Sequence, residues 1–272
     1  MPAEGAMATR LEAPVEEPRS IQKVAVRAVA VTHGYRSRRG DEVTALAGLD
    51  LTVREGEVVA VVGPSGCGKS TLLELVAGLQ DPGGGLVEVA GAPERRDACS
   101  LMPQHDLLVP WRDAAGNAAL ALECAGVRRT DARRRAAPLF ERFGLAELER
   151  ARPEELSGGM RQRVAFLRTL LPDRPVLLLD EPFGALDSIT RGAMQEWLEA
   201  ALAEVPRTVL LVTHDVEEAI LLADRVAVLS PRPGRVRAEL EVALPRPRRR
   251  LDLVADPDFV ELKSRALEAL AA

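Results

Sequence analysis

Glu57-Val-Val-Ala-Val-Val-Gly63-Pro-Ser-Gly-Cys-Gly-Lys-Ser-Thr71 is the stretch on which the fold turns. Val58 to Val62 is an unbroken apolar run of strand length, as expected for a strand buried on both faces of a parallel sheet. A glycine-rich turn follows, and then an apolar helix expected from Lys69 to Leu79. Strand, glycine-rich turn and helix in that order make a phosphate loop: successive backbone N–H groups turn inward and the helix N-terminus adds positive potential. Lys69 is suited to neutralising β/γ phosphate oxygens, and Ser70 to ligating Mg²⁺. The chain has only Lys23, Lys69 and Lys263 against many arginines, so a compact ammonium in the loop is a selective choice.

Outward from this loop, helix and strand alternate. β-branched residues recur from Val24 to Val31 and from Leu49 to Val53, with a charged loop from Arg36 to Glu42 between them, predicting a small antiparallel sheet. Glycines 83–85 and Gly91 predict a hairpin around Leu86 to Ala90. The Ala-, Arg- and Leu-rich stretch from about Asp106 to Glu155 reads as a helical insert. Val176 to Leu179, Thr208 to Val212 and Arg225 to Leu229 read as further strands, with an amphipathic helix from Met194 to Val205 between the first two. This is an α/β chain with a parallel sheet covered on both faces. In the tail, Asp256-Pro257 predicts the cap and first turn of a helix with Phe259, Leu262, Ala266 and Leu270 on one face.

Three more segments carry chemistry. Val176-Leu-Leu-Leu-Asp180-Glu181 ends a buried strand in two carboxylates, where Asp180 can hold Mg²⁺ through water and Glu181 can polarise an attacking water. Leu156-Ser-Gly-Gly-Met-Arg-Gln162 offers Ser157, Gly158 and Gly159 as a helix cap with free N–H groups, a second anion site. Thr213-His-Asp215 puts His214 at a strand end, where an imidazole donor suits a phosphate.

Taken in order, these segments resemble the ATP-binding cassette family, over roughly residues 22 to 235. The resemblance implies a P-loop NTPase (RecA-like) parallel sheet core with an antiparallel β subdomain and an α-helical subdomain. It implies ATP bound by Gly63, Pro64, Ser65, Gly66, Cys67, Gly68, Lys69, Ser70 and Thr71, with Tyr35 stacking on adenine. Gln104 then occupies the Gln-loop, touching Mg²⁺ or the attacking water. Leu156 to Gln162 is the signature, with Met160 where Gln is commonest, and Ala185-Leu186-Asp187 the D-loop. Lys69, Gln104, Glu181 and His214 are the expected catalytic set, and Ser70, Gln104 and Asp180 the metal set. In that family the signature of one subunit closes over the γ-phosphate held by the other, which implies a homodimer on ATP binding. The place of Cys67 beside the phosphates predicts that its alkylation blocks ATP binding.

Leu101-Met-Pro-Gln-His-Asp-Leu-Leu-Val-Pro-Trp-Arg112, with Asn117 following, resembles the nitrate, sulfonate, taurine and thiamine-precursor importer ATPases. That branch implies a separate transmembrane permease, contacted near Trp111, and, indirectly, a solute-binding protein. The expected place is the cytoplasmic face of the membrane, reached through the permease. Trp111 as an interior filler is the competing reading. Other cassette systems, namely an exporter subunit, an iron–sulfur assembly ATPase or a cell-division ATPase, remain alternatives. Nucleic acid is not expected as a partner: the formal net charge is -5, and the interval from Ser70 to Ser157 leaves no room for a coiled-coil insert. The basic runs Arg128 to Arg135 and Arg246 to Arg250 read as solvated. Three cysteines without metal spacing point to a reducing compartment, and no apolar run approaches the ~20 residues of a membrane helix. The expected organisation is a disordered lead over 1–20, an ATPase domain over 21–240 with its helical subdomain at about 106–160, and a tail with a short helix over 241–272.

Overall fold

The computed structural model describes residues 23–36, 40–184, 186–204 and 207–272. The N-terminal lead expected over 1–20 lies outside them. In chain order the elements are β1 (Val24–Arg36), β2 (Glu42–Arg54), β3 (Val58–Val62), α1 (Lys69–Val76), β4 (Gly84–Val89), α2 (Arg95–Ala98) and β5 (Cys99–Met102). Then come α3 (Ala114–Ala118), α4 (Leu120–Cys124), α5 (Arg129–Arg142), α6 (Gly158–Leu170), β6 (Val176–Asp180), α7 (Ser188–Glu204) and β7 (Thr208–Thr213). The chain closes with α8 (Val216–Leu222), β8 (Arg225–Leu229), β9 (Val236–Glu241), α9 (Arg250–Leu253) and α10 (Pro257–Ala271).

The main sheet has the order β5-β6-β7-β3-β8-β9, parallel through β8, with β9 antiparallel at the edge. Every residue of β3, β7 and β8 is buried, which is why these strands read as continuous apolar runs. The pleat sorts their side chains. Val58, Ala60 and Val62 face the core shared with the helical insert, while Val59 and Val61 face the core shared with α1 and the small sheet.

That small sheet has the order β2-β1-β4. Its third strand corrects the expected hairpin at Leu86 to Ala90: β4 is a single strand running antiparallel to β1, with Val26 opposite Val89 and Val29 opposite Leu86. β5 and β9 carry no clear strand signal in the sequence. Cys-Ser-Leu-Met is too short and mixed to declare itself, and β9 alternates behind a proline-rich turn. The helix expected from Met194 begins earlier, at Ser188, because the Asp187 carboxylate accepts from the N–H groups of Ile189 (3.1 Å) and Thr190 (3.0 Å).

The tail is bound to the core, and the basic run from Arg246 to Arg250 is only partly solvated. Arg248 is buried, and its guanidinium donates to the carbonyls of Ile220 (2.9 Å) and Ala223 (2.6 Å), capping the C-terminal end of α8. Arg246 bridges Glu199 (3.1 Å) and Asp224 (2.8 Å). Arg133 in the other basic run is likewise committed, to Asp113 at 2.5 Å. Phe259, Leu262 and Ala266 of α10 are buried in the same core, with Leu270 packed against it.

Replacing Arg248 with Met strips the end of α8 of its donors and is expected to cost about 3 kcal/mol of stability. Arg249→Met, at an exposed neighbour, is expected to stay within about half a kcal/mol. Thermal or denaturant unfolding of the two variants checks this.

Candidate nucleotide site

Strand order alone brings the expected residues together. β5, β6, β7 and β3 lie side by side in parallel, so their C-terminal ends deliver Gln104, Asp180-Glu181, His214 and the Gly63 loop to one edge of the sheet. In open α/β sheets that edge is where ligands bind. Gln104, Glu181, His214, Lys69, Ser70 and Tyr35 line one cavity of about 460 Å³.

The loop is held tightly from behind. Gly68 adopts φ +107°, and a Cβ there would stand 2.6 Å from Leu46 Cδ2 and 3.0 Å from the Ala45 carbonyl, so glycine is required where the loop passes under β2. Lys69 is 6% exposed, and its ammonium donates to the carbonyls of Gly63 (2.8 Å) and Pro64 (3.2 Å). Those bonds use two of its three donors and fix Nζ inside the loop. Tyr35 stands on the cavity wall, its hydroxyl donating to Thr71 Oγ1 (2.9 Å) and its ring edge-on to His33 at 4.9 Å.

Glu181 is the meeting point. Its Oε2 accepts from Gln104 Nε2 (3.1 Å) and lies 3.2 Å from His214 Nδ1. Its backbone has φ +42°, a strained value for glutamate, while its N–H donates to the Val212 carbonyl of β7 (2.9 Å). Burial pushes the neighbouring Asp180 carboxyl above its usual range; a hydrogen bond with Ser70 opposes this and the charge of Glu181 adds to it. The Asp180 carboxylate and the Ser70 hydroxyl hydrogen-bonded to it are oxygen donors of the kind Mg²⁺ prefers.

Cys67 differs from expectation. Its side chain is buried in the core behind the loop, and burial raises the thiol pKa, both of which disfavour attack by a thiol reagent on the folded chain.

Residues 46–184 match the model of the ABC transporter family. The chain belongs to that family. An aliphatic sulfonates import ATP-binding protein from Rhodococcus jostii is 50% identical over 82% of this chain and 86% of its own length. A nitrate import ATP-binding protein from Synechococcus elongatus is 42% identical over 87% and 88%. Among solved structures, a dimeric post-hydrolysis ATP-binding cassette bound to ADP and Pi aligns at TM-score 0.70 and 31% identity, covering 80% of this chain and 99% of its own. This ABC protein is thus an ATP-binding, ATP-hydrolysing cassette subunit.

The cassette's signature segment stands apart from the cavity. Ser157 caps α6, its Oγ accepting from the Met160 N–H (3.3 Å). Gly158 is exposed, and Gly159 is packed so closely on Thr190 that a Cβ would lie 2.6 Å from its methyl. Asp187 of the D-loop is exposed and serves as the α7 cap, with hydrogen bonds from Thr190 lowering its pKa; Ala185 lies outside the described residues. Nothing in the sequence pattern singles out Gln162 at the end of the signature. It is buried, and its amide donates to the Pro182 carbonyl, tying the signature helix to the turn after Glu181.

Trp111 is 75% exposed, so it is no interior filler. The wholly buried Asn117 holds the loop that displays it, donating to the carbonyls of Val109 (3.1 Å) and Arg112 (3.1 Å) and accepting from the Val109 N–H (2.6 Å). No helix among the described residues is long and apolar enough to cross a membrane.

In α8, burial lifts the carboxyl of Glu218 to about 7, a shift that hydrogen bonds from Gln195 (3.0 Å) and Thr213 only partly oppose. Because the folded pKa is raised, the stabilisation belongs to the protonated form. It is whole below about pH 4.5 and is lost as pH climbs through about 7. Glu218→Gln is therefore expected to gain on the parent chain as pH rises from 5 to 8, by up to about 3 kcal/mol. Paired melts across that range check the slope; parallel curves would count against it.

Cysteine labelling is a second check on the site. The exposed Cys124 is expected to react rapidly under native conditions, and Cys67 only on unfolding, as mass spectrometry of partly labelled chain would report.

Proposed function

We propose that this chain hydrolyses MgATP as the motor of an importer for a small oxyanion of the sulfonate or nitrate type, docked peripherally on the cytoplasmic face of a separate permease. The observation that carries the reading is the convergence of Gln104 and His214 on one oxygen of Glu181, beside a phosphate loop whose lysine is already in place. The solute class rests on the 50% and 42% identity to the sulfonate and nitrate proteins. The displayed Trp111, beside a 63% exposed Leu107, supports a docking surface for the permease. Solute recognition itself belongs to the permease and its binding protein.

In this reading the N–H groups of the Gly63–Thr71 loop and Lys69 take the β- and γ-phosphates, and Tyr35 takes the adenine. Ser70 and Asp180, with Gln104 alongside, are the residues that would hold Mg²⁺, and the ion, when bound, supplies neutralisation of charge between the β- and γ-oxygens. Glu181 orients the attacking water, and its paired contacts limit the positions its carboxylate can take. His214 addresses the γ-phosphate. Ser157, Gly158 and Gly159 of a second copy complete the site, with Asp187 close to that interface, which accords with their distance from this chain's own cavity. The ATPase domain is taken as 21–240 with the helical subdomain at about 106–160, and residues 241–272 as an integral strap across α8.

Glu181→Gln is expected to bind ATP normally, to lose hydrolysis by about a hundredfold or more, and to accumulate as a dimer. Lys69→Ala is expected to lose nucleotide affinity instead. ATP titration with phosphate release and sizing separates the two; near-normal turnover by Glu181→Gln would remove Glu181 from its role.

A further inference from the structure

The fifth parallel strand, β8, also ends at the cavity. β8 lies on the far side of β3 from β7, and the turn that follows it, Ser230 to Arg235, carries Arg232 into the lining of the nucleotide cavity. Arg232 is exposed and makes no hydrogen bond or ion pair with any described residue. Of the side chains that line the cavity, Lys69 and Arg232 are the permanently charged cations.

The backbone beneath Arg232 is fixed. Gly234 N–H donates to the Ala45 carbonyl (2.8 Å), and the Gly234 carbonyl accepts from Ala47 N–H (3.2 Å), pinning the turn to β2. A Cβ on buried Gly234 would collide with the Cys67 carbonyl of the phosphate loop, so only glycine lets the turn lie this close. The Ser230 hydroxyl donates to the Pro233 carbonyl (3.0 Å) and accepts from Arg235 N–H (3.1 Å), closing the turn on itself. A guanidinium without a protein partner is thus mounted on a rigid support against the loop.

We infer that Arg232 is a second cationic contact for the nucleotide, its guanidinium binding phosphate oxygens from the side of the cavity opposite Gln104 and Glu181. The inference rests on the proposed ATPase reading. MgATP keeps net negative charge after its metal is counted, and Lys69 cancels only part of it. A planar five-donor fork suits the remaining oxygens, and its charge-assisted hydrogen bonds strengthen as solvent leaves the cavity.

The test is equilibrium binding of ATP and ADP to the full chain, comparing wild type with Arg232→Ala and Arg232→Lys, and with melts to establish folding. Arg232→Ala is expected to bind ATP about tenfold more weakly, with a flatter dependence of affinity on salt, and Arg232→Lys to recover part of the loss. KM for ATP should rise in step while kcat moves far less. Unchanged affinity and salt dependence in folded Arg232→Ala, with wild type binding normally, would overturn this contact alone. A wild-type chain that takes up no ATP would overturn the ATPase reading and the contact together.

Discussion

The alignment of parallel strand ends is the constraint on which the site depends. β5, β6, β7, β3 and β8 are hydrogen-bonded in sequence, and their pairing registers end within a residue of one another: Met102 beside Leu179, Asp180 beside Val212, Val62 beside Thr213 and Val228. A slip of one residue in any pair would turn that strand's apolar faces over and move its terminal side chain out of the cavity. The core therefore specifies the site. β3 is buried on both faces, with Val58, Ala60 and Val62 in one core and Val59 and Val61 in the other, and is paired on both edges with β7 and β8, so the phosphate loop starts from a firmly held strand end.

Electrostatics at this edge are divided. The loop side offers inward N–H groups, the start of α1 and Lys69; the β6 side offers Asp180 and Glu181. Desolvation raises Asp180, and the Ser70 hydrogen bond and the charge of Lys69 offset it only in part. Glu181 is steadied instead by Gln104 and His214, each from a different strand end, so a shift at the Gln104 turn is felt at the carboxylate. The same turn leads to the Asn117-held loop that exposes Trp111. A mechanical path from an outer surface to the reacting centre thus runs through a few residues of one segment.

Much of this was legible in the sequence because it rests on local rules. A continuous apolar strand, a glycine-rich turn and a lysine cannot avoid declaring a phosphate loop, and Asp180-Glu181 after Leu177 to Leu179 is nearly as plain. What stayed hidden depends on tertiary neighbours. Cys67 reads as a loop residue yet points into the core, since direction within a tight turn has no periodicity to betray it. Arg246 and Arg248 read as solvated charge because capping donors for α8 come from a segment more than twenty residues away. β4 looked like half of a hairpin because its partner is β1, far upstream. Gln162 and Arg232 gave no signal beyond their motif and turn, and acquire meaning only from what they face.

The measurement that bears most directly on the account is nucleotide uptake by the purified wild-type chain, by calorimetry with sedimentation in parallel. One ATP, or one slowly hydrolysed analogue, should bind per chain in the presence of Mg²⁺, and the analogue should convert monomer to dimer. Absence of any saturable uptake at millimolar nucleotide, from a chain shown to be folded, would contradict it.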